Sequence, residues 1–254
     1  MKKRRRYYAI REPRYQKYGS IGDEEYRKKK WFEWWDKKGR FQLSQNQPRP
    51  MQCPPRSEEL AEFVGIMLGD GGMTSFQISI TLGYKSDREY SVFVSALLKR
   101  LFLVAPSIYE GDQSIIDIRI SRKVLVNFCV SLGLCIGNKI RNKVDIPHWI
   151  KQNKIFLTAC VRGMMDTDGC IFQECHAIGE KKYCYPRIAL VSYSNTLRLS
   201  VFEGLKKLGF SPKERNGRSI NLENKGEIQK YFSLVGTHNP KHQKRFEEFI
   251  WRGA

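Results

Sequence analysis

Two Asp-Gly pairs are the residues of this chain best placed to do chemistry. Asp70-Gly71 and Asp168-Gly169 lie 98 residues apart, and each pair ends a matching, largely apolar segment. A single Asp-Gly pair after a helix is most often only a turn. Two copies at equivalent places of an internal repeat instead predict two carboxylates that share one task.

Both apolar segments also carry a stripe of small residues. A small residue follows a glycine by four positions in each copy, at Gly65 and Gly69 and again at Gly163 and Thr167. Residues four apart lie on one face of a helix, so two such helices can cross in near-backbone contact. The crossing would bring the aspartates at the two helix ends side by side.

Two aspartates in that position need a cation. The negative end of each helix dipole disfavours a carboxylate, and two carboxylates together repel one another. A divalent cation between Asp70 and Asp168 removes the conflict, and hard oxygen ligands favour magnesium, with manganese or calcium as substitutes. The carbonyl oxygens of Gly69 and Thr167 are further ligands that this arrangement predicts.

The segments that follow each Asp-Gly pair repeat one order of elements, which is helix–strand–strand–helix–strand–strand–helix. The fold class is therefore α+β, with two tandem αββαββα repeats and an antiparallel sheet in each. In the first repeat we expect a helix from residue 57, a strand over 76–82, helices over 87–102 and 122–132, and a hairpin turn at 111–112. In the second we expect a strand from residue 170, a loop near 179, a strand over 187–193, a hairpin turn at 216–217 and a helix over 226–234.

The charge indicates a polyanionic partner. The chain has 254 residues with 45 Lys and Arg against 26 Asp and Glu, a formal net charge of +19. Nucleic acid is the commonest polyanion that a soluble protein with this charge meets. No run approaches the roughly 18 apolar residues of a membrane span. We therefore expect no membrane association.

Eleven of these net charges lie in residues 1–56, which also hold ten aromatic residues. The predicted domains are this basic, aromatic extension with a Pro-rich linker at its end, a first repeat over 57–150 and a second over 151–254. A helix with Trp31, Trp34 and Trp35 on one face is expected in the extension. It either packs its aromatic face on the rest of the protein or grips phosphates with its basic side.

With these two motifs, the sequence resembles the LAGLIDADG homing endonucleases, specifically their single-chain form with two motifs. Both segments match the family's nonapeptide at its glycine, its final acid and its closing glycine, and the resemblance covers about residues 57–250. Two positions depart from the pattern. Leu68 replaces the first motif acid, and Thr167 replaces a small alanine or glycine. Both copies keep the final acid.

The resemblance implies a fold and an activity. The two repeats would be related by a pseudo-twofold axis, and their sheets would form a saddle over roughly 20 base pairs of double-stranded DNA. Such a protein is a site-specific, intron- or intergenic-encoded endonuclease of a mobile element, and acts as a monomer. It hydrolyses both strands across the minor groove and leaves short 3′ overhangs, with divalent metal between the motif helices.

The resemblance also assigns a role to two lysines. Lys139 follows the first repeat and Lys241 the second, at positions like the family's basic residues near the active centre. They would stabilise the charge that develops on phosphate, beside Asp70 and Asp168 as the catalytic acids. The alternative is ordinary phosphate anchoring or exposure to solvent.

Strand alternation divides each sheet into an apolar and a polar face. Phe76, Ile78, Ile80 and Leu82 are expected to face the core. The opposite face could read base edges in the major groove, or could simply be solvated. The candidate DNA-reading residues are Gln77, Ser79, Thr81, Asp117, Arg119, Arg187, Ser219, Asn221 and Glu223.

Other interpretations remain open. An RNA maturase that assists intron splicing, or a regulator that binds DNA without cutting it, could use the same scaffold. Cys170, Cys175, His176 and Cys184 lack the paired spacing of a structural zinc site. Seven cysteines, an odd number, favour free thiols and an intracellular location, in the cytoplasm, nucleoid or an organelle, without secretion.

Overall fold

The computed structural model describes residues 24–39, 51–111 and 114–251. The chain divides into two compact units, Met1–Pro48 and Arg49–Ala254. The described part of the first unit contains the expected helix, α1 (Glu24–Lys37). On it, the rings of Trp31 and Trp35 stack with their centroids 5.5 Å apart, and Trp31 is exposed. The start of the expected Pro-rich linker, and part of the turn expected at 111–112, lie outside the described residues.

The second unit contains two halves with the same order of elements. The first half is α2 (Glu58–Leu68), β1 (Gly71–Met73), β2 (Ile78–Gly83), α3 (Arg88–Phe102), β3 (Ser107–Gly111), β4 (Ile115–Ile120) and α4 (Lys123–Ser131). A short helix, α5 (His148–Lys151), precedes the second half. That half is α6 (Lys154–Asp168), β5 (Gly169–Ile178), β6 (Lys181–Val191), α7 (Asn195–Lys207), β7 (Lys213–Arg215), β8 (Ser219–Leu222), α8 (Lys225–Leu234) and α9 (Pro240–Trp251).

Each half begins with a helix whose start is fixed by a polar cap. The Ser57 hydroxyl accepts a hydrogen bond from the Leu60 amide at 3.2 Å, and Glu58 and Glu59 occupy the first turn of α2. The Asn153 side chain caps α6 in the same way. These are the expected consequences of free amide groups and a positive dipole at a helix start.

The two sheets have the same strand order, which confirms the duplicated pattern. The strands are ordered β1-β2-β4-β3 in the first half and β5-β6-β8-β7 in the second, and all pairs are antiparallel. The β7–β8 hairpin turns at Asn216 and Gly217, whose φ angles are 53° and 59°. Asn-Gly readily adopts the two positive φ angles of a tight hairpin turn. Because Arg215 pairs with Ser219, the loop contains three residues, 216–218, and is one residue longer than the sequence predicts.

Over residues 76–82 the alternation is as expected, except at one residue. In β2, Ile78, Ile80 and Leu82 are buried against the helices, whereas Ser79 and Thr81 are not. Phe76 is 60% exposed and was wrongly placed on the core face. It lies in the loop before β2, where the alternation of the strand does not apply.

The β5–β6 hairpin corrects two further expectations. β5 agrees with the strand predicted from residue 170 to a loop near 179, but β6 begins at Lys181 instead of residue 187. Cys175 and Cys184 lie directly opposite one another in this ladder and form a disulfide. They are therefore neither free thiols nor zinc ligands. Cys53, Cys129, Cys135, Cys160 and Cys170 are free.

The helices were also compared with the length and apolar character of a membrane-spanning helix. Within the described ranges, no helix combines the length and apolar character needed to cross a bilayer.

Candidate active site

Helices α2 and α6 cross in backbone contact. A Cβ atom at Gly65 would overlap the carbonyl oxygen of Cys160, and one at Gly163 would overlap that of Glu62 and lie 2.9 Å from the Ile66 nitrogen. Real side chains do not approach backbone so closely, so only glycine fits at either position. The crossing predicted from the small-residue stripe is confirmed.

The crossing brings the two motif aspartates together. A Cβ atom at Gly69 would lie 3.5 Å from the carboxyl carbon of Asp168. Asp168 therefore packs against the end of the helix that Asp70 follows. Each aspartate directly precedes the first strand of its sheet, because β1 begins at Gly71 and β5 at Gly169.

The two carboxyl groups hold their protons unusually strongly. Burial, and then the negative charge of Asp168, raise the pKa of Asp70 to about 6, although Lys139 and Lys241 act in the opposite direction. Burial also raises the pKa of Asp168, opposed by Lys139. The sequence predicts this conflict between neighbouring acids, and a divalent cation would remove it.

Lys139 lies across the end of α2. Its ammonium donates hydrogen bonds to the carbonyl oxygens of Gly69 and, at 3.0 Å, of Leu68. Burial lowers the pKa of this lysine. The Gly69 carbonyl, a predicted metal ligand, is therefore already an acceptor for Lys139, and a cation would have to share that oxygen or displace the ammonium.

Thr167 turns its hydroxyl back into its own helix. Its Oγ1 donates to the carbonyl oxygens of Gly163 at 2.9 Å and Met164 at 3.0 Å. The side chain thus satisfies its own polar group while packing against Gly69. The Thr167 hydroxyl is therefore engaged within the helix, and the predicted metal ligand at this position remains the backbone carbonyl oxygen.

Lys241, the lysine that the sequence predicts for the second repeat, has a different partner. Its ammonium lies 2.7 Å from the carboxylate of Asp87, the residue that precedes α3. Asp87 is a member of the site that sequence analysis missed. An isolated aspartate before a helix indicates a cap, and nothing local in the sequence points to a lysine 154 positions later.

A second acidic cluster lies close to this site and was also missed. Ligand atoms of Glu62, Asp166 and His238 all lie within 4.8 Å of one another, a spacing that could hold a metal ion. Asp166, however, accepts hydrogen bonds from the Thr237 hydroxyl and, at 2.7 Å, from the His238 amide. Protein donors thus already use the oxygens of Asp166.

Glu62 is similarly engaged. One oxygen lies 2.5 Å from Nδ1 of His238, and the other accepts a hydrogen bond from Arg162 at 2.9 Å. Burial opposes ionisation, but the bonds from His238 and Arg162 prevail and hold the pKa of Glu62 below its usual value. We interpret this cluster as the anchor of residues 237–239, the segment that leads into Lys241.

The polar face of the first sheet contains the predicted residues in adjacent rows. Ser79 pairs with Arg119, and Thr81 pairs with Asp117. Asp117 is buried and its carboxylate accepts a hydrogen bond from Arg119 at 2.8 Å, so it orients that arginine. Gln77 precedes β2, and its side chain accepts a hydrogen bond from Ser121 at 3.2 Å.

Tyr109 on β3 is a further residue of this face that sequence analysis missed. The Arg119 guanidinium lies 4.9 Å from the centroid of its ring. An exposed aromatic ring beside an arginine is well suited to contact nucleic acid.

The second sheet has the corresponding polar face. Ser219 and Asn221 are half-buried on β8, and Asn221 pairs with Ala189 of β6. The Arg187 guanidinium bonds the carboxylate of Glu174 at 2.9 Å, and it donates to the carbonyl of Glu223. Several predicted readers are thus already paired with other residues of the face.

Glu223 is also paired. Its carboxylate lies 3.0 Å from Lys213 and 2.5 Å from Arg215. Lys213 and Arg215 are exposed basic residues on β7 that sequence analysis missed. Their alternation in a three-residue strand is too short a signal to recognise in the sequence.

The amino-acid sequence of this chain has few matches among known proteins that bear on its function. No model of a known protein family matches the chain. The tRNA-splicing ligase RtcB of Methanopyrus kandleri is 26% identical over 132 residues, a match that covers 46% of this chain and 13% of the ligase. Because the match covers so little of the ligase, it gives no reason to assign the ligase reaction to this chain.

Comparison of structures is more informative. The chain is similar to the LAGLIDADG meganuclease I-AabMI bound to uncleaved DNA, with a TM-score of 0.53 and 11% identity over 76% of this chain and 89% of that one. The homing endonuclease I-LtrWI bound to target DNA gives a TM-score of 0.53 and 12% identity over 77% and 89% of the two chains. I-SmaMI bound to uncleavable DNA gives 0.51 and 12% over 76% and 87%.

Identities this low establish the fold alone. This chain shows that fold in its duplicated αββαββα order, its two sheets and its crossed, glycine-bearing helices. The chain therefore has the two-motif, single-chain fold of the LAGLIDADG homing endonucleases.

Proposed function

We propose that this protein is a site-specific endonuclease that hydrolyses double-stranded DNA with a divalent cation held between α2 and α6. The observation that carries the proposal is the meeting of Asp70 and Asp168 where these helices end, with the pKa of both carboxyl groups raised. A protein that only binds DNA gains nothing from two carboxylates directed at phosphates, because like charges repel.

The residues present suit a hard divalent cation. Asp70 and Asp168 provide carboxylate oxygens and Thr167 provides a carbonyl oxygen, which is a donor set that magnesium prefers. The Gly69 carbonyl would join them only by sharing its oxygen with Lys139 or displacing it. When bound, the cation polarises the scissile phosphate and lowers the pKa of a water molecule. Each aspartate serves chiefly one strand.

The lysines complete the proposed chemistry. Lys139 and Lys241 both influence Asp70 electrostatically, so their ammonium groups lie near the reacting centre. In that position they offset the negative charge that accumulates on the phosphate in the transition state. The resemblance supplies the remaining details of the proposal, namely cleavage across the minor groove with short 3′ overhangs.

The proposed partner is a duplex of roughly 20 base pairs, about one helical turn for each sheet. Support comes from the net charge of +19 and from the arginines on the polar faces, Arg119 and Arg187. DNA-bound structures among the similar proteins agree with this choice of ligand. We propose that a single chain contributes both halves of the site.

A cleavage selection tests the function. The purified protein is incubated with a randomised duplex library in magnesium or in chelator, and the cut ends are sequenced. We expect a defined target cut only with magnesium. The absence of any selected, magnesium-dependent cut would contradict the proposal and favour an RNA maturase or a non-cleaving regulator, which intron-splicing and DNA-binding assays would then separate.

The cation can be tested without cleavage. Calcium or magnesium alone should raise the melting temperature of the wild-type protein, because an ion that binds only the folded state stabilises it. The variant with Asp70→Asn and Asp168→Asn should show no such rise. An equal rise in both proteins would place the ion elsewhere, with Glu62, Asp166 and His238 as the next group to test.

A further inference from the structure

Lys139 follows α4 and Lys241 follows α8, the last helices of the two αββαββα halves, but the two lysines have different partners. The Lys139 ammonium bonds only backbone carbonyl groups among the described residues, those at the end of α2. The Lys241 ammonium instead bonds a carboxylate, that of Asp87 at 2.7 Å. The internal symmetry is therefore broken at two lysines that both influence Asp70 electrostatically.

Asp87 is a buried carboxylate whose hydrogen bonds converge on the Lys241 segment. Its Oδ1 accepts from Lys241 and also, at 2.8 Å, from the side chain of Asn239. Its Oδ2 accepts from the Ser86 hydroxyl at 2.5 Å. Burial opposes the charge, yet these three donors prevail and lower the pKa of Asp87. The group is thus held as a carboxylate facing Lys241.

This carboxylate is not used to cap its own helix. Asp87 is the residue before α3, but its side chain makes no capping hydrogen bond. The equivalent residue of the second half is Ser194, before α7, and its hydroxyl does cap by accepting from the Leu197 amide at 3.4 Å. At corresponding points, the first half therefore has an aspartate that contacts Lys241, and the second half has a neutral serine that caps its helix.

The segment that Asp87 contacts is fixed on its other side as well. The Asn239 amide group bridges Asp87 and the carbonyl oxygen of Asp166, at 2.8 and 2.9 Å. Removal of the Asp87 carboxylate would leave Lys241 free to choose other rotamers, because a long, unpaired side chain regains its conformational freedom.

We propose that Asp87 is a positioning residue that holds Lys241 toward the active centre and thereby makes the two strand-cleaving halves unequal. The inference rests on the proposed function. Asp87 acts chiefly through Lys241, although its negative charge also helps to raise the pKa of Asp70, and it has no contact with the reacting phosphate in this account. Loss of the carboxylate should therefore affect the strand that Lys241 serves and spare the strand that Lys139 serves.

The test is single-turnover cleavage of a duplex that the wild-type protein cuts, with each strand labelled separately. Asp87→Asn should slow one strand by roughly tenfold, as expected when a catalytic group is displaced by about an ångström or less, and leave the other strand nearly unchanged. Lys241→Met should slow the same strand, and the double variant should be no slower than Lys241→Met alone. Asp87→Glu should restore part of the rate.

Glu89→Gln is the matched control, because it removes an acid two residues away whose ion pair with Lys244, at 3.3 Å, is exposed. It should leave both strand rates as they are in the wild type. Equal slowing of both strands by Asp87→Asn with a lowered melting temperature would show a merely structural role. Unchanged rates, or additive effects in the double variant, would also overturn the proposal.

A second measurement needs no DNA and separates this inference from the proposed function. Reductive methylation of the full-length protein, followed by peptide mass spectrometry, reports how freely each lysine reacts. Lys241 should react several-fold faster in Asp87→Asn than in the wild type, while Lys244 should not change. Equal Lys241 rates in the two proteins would refute the positioning role, even if the wild-type protein cuts DNA.

Discussion

The charge on Asp70 is the residue-scale feature with the clearest thermodynamic consequence. Its pKa rises from 3.8 to about 6 on folding, through burial and the nearby Asp168. The folded state therefore binds a proton more tightly than the unfolded state does. Stability linked to this group is full below about pH 4 and is lost as the pH rises through about 6.

Asp70→Asn should consequently stabilise the metal-free protein at pH 7.5 by roughly 1–3 kcal/mol, because it removes a repelled, half-buried carboxylate. At pH 4.5 most of this gain should disappear. Urea denaturation in chelator at the two pH values measures both quantities. Glu180→Gln, which removes an exposed acid at a hairpin, serves as the control for the change in net charge. A gain independent of pH would contradict the assignment.

For Glu62 we expect the opposite effect on stability, because Arg162 and His238 compensate its negative charge. Glu62→Ala should destabilise the protein by about 3–5 kcal/mol, because it leaves the largely buried Arg162 without its buried partner. Glu58 pairs with the same guanidinium at 3.1 Å from an exposed position, so Glu58→Ala should cost less than about 1 kcal/mol. Equal losses in the two variants, measured by urea denaturation, would show that burial does not govern this ion pair.

At this scale, the sequence identifies residues that repeat and misses residues that pair across repeats. Asp70 and Asp168 could be predicted because their surroundings recur at a fixed offset. Asp87 and Glu62 could not, because their partners lie 154 and 176 positions away and no local pattern links them. Tertiary pairing of this kind becomes visible only once the chain is folded.

At the scale of elements, the contact of α2 with α6 determines where the aspartates lie. A Cβ atom at Gly65 would overlap the backbone of Cys160, which cannot move aside as a side chain can. Gly65→Ala should therefore destabilise the protein by about 3 kcal/mol or more, or prevent folding. Circular dichroism during urea titration measures this loss.

Gly204→Ala is the control for Gly65→Ala. Gly204 is also a buried helical glycine, but a Cβ atom there would meet only the Leu157 side chain, at 3.3 Å. Alanine favours a helix over glycine by up to about 1 kcal/mol, so this variant should stay within about 1 kcal/mol of the wild type. A larger loss at Gly204 than at Gly65 would show that the helix crossing is not the tightest contact.

Element order and strand alternation were predictable, whereas some strand ends were not. The αββαββα order, the alternation of β2 and the position of the Asn216-Gly217 turn all follow from local patterns, and each is confirmed. The start of β6 is predicted too late, because the outer part of the β5–β6 hairpin is exposed and lacks apolar alternation. The Cys175–Cys184 bond depends on the register of that hairpin, which spacing alone does not determine.

At the scale of the whole molecule, charge should govern DNA affinity. Residues 1–48 hold 15 Lys and Arg against 6 Asp and Glu, so they supply nine of the nineteen net positive charges. If they grip phosphates, a variant without them should show a shallower fall of affinity with salt on a random duplex of about 25 base pairs. The log–log slope should fall by roughly one unit for each phosphate that these residues neutralise in the wild type.

Fluorescence anisotropy between about 50 and 300 mM salt measures that slope, and circular dichroism confirms that the shortened variant is folded. An unchanged slope would favour the alternative in which this region only packs through its aromatic residues.

The central claim is that Asp70 and Asp168 together hold the cation that cleaves DNA. Its most direct test is the double variant Asp70→Asn with Asp168→Asn on the duplex selected by the wild-type protein, with cleavage and binding measured in parallel. We predict that cleavage of both strands disappears while the dissociation constant changes by less than about tenfold. Cleavage at the wild-type rate would remove both carboxylates from the chemistry and contradict the account.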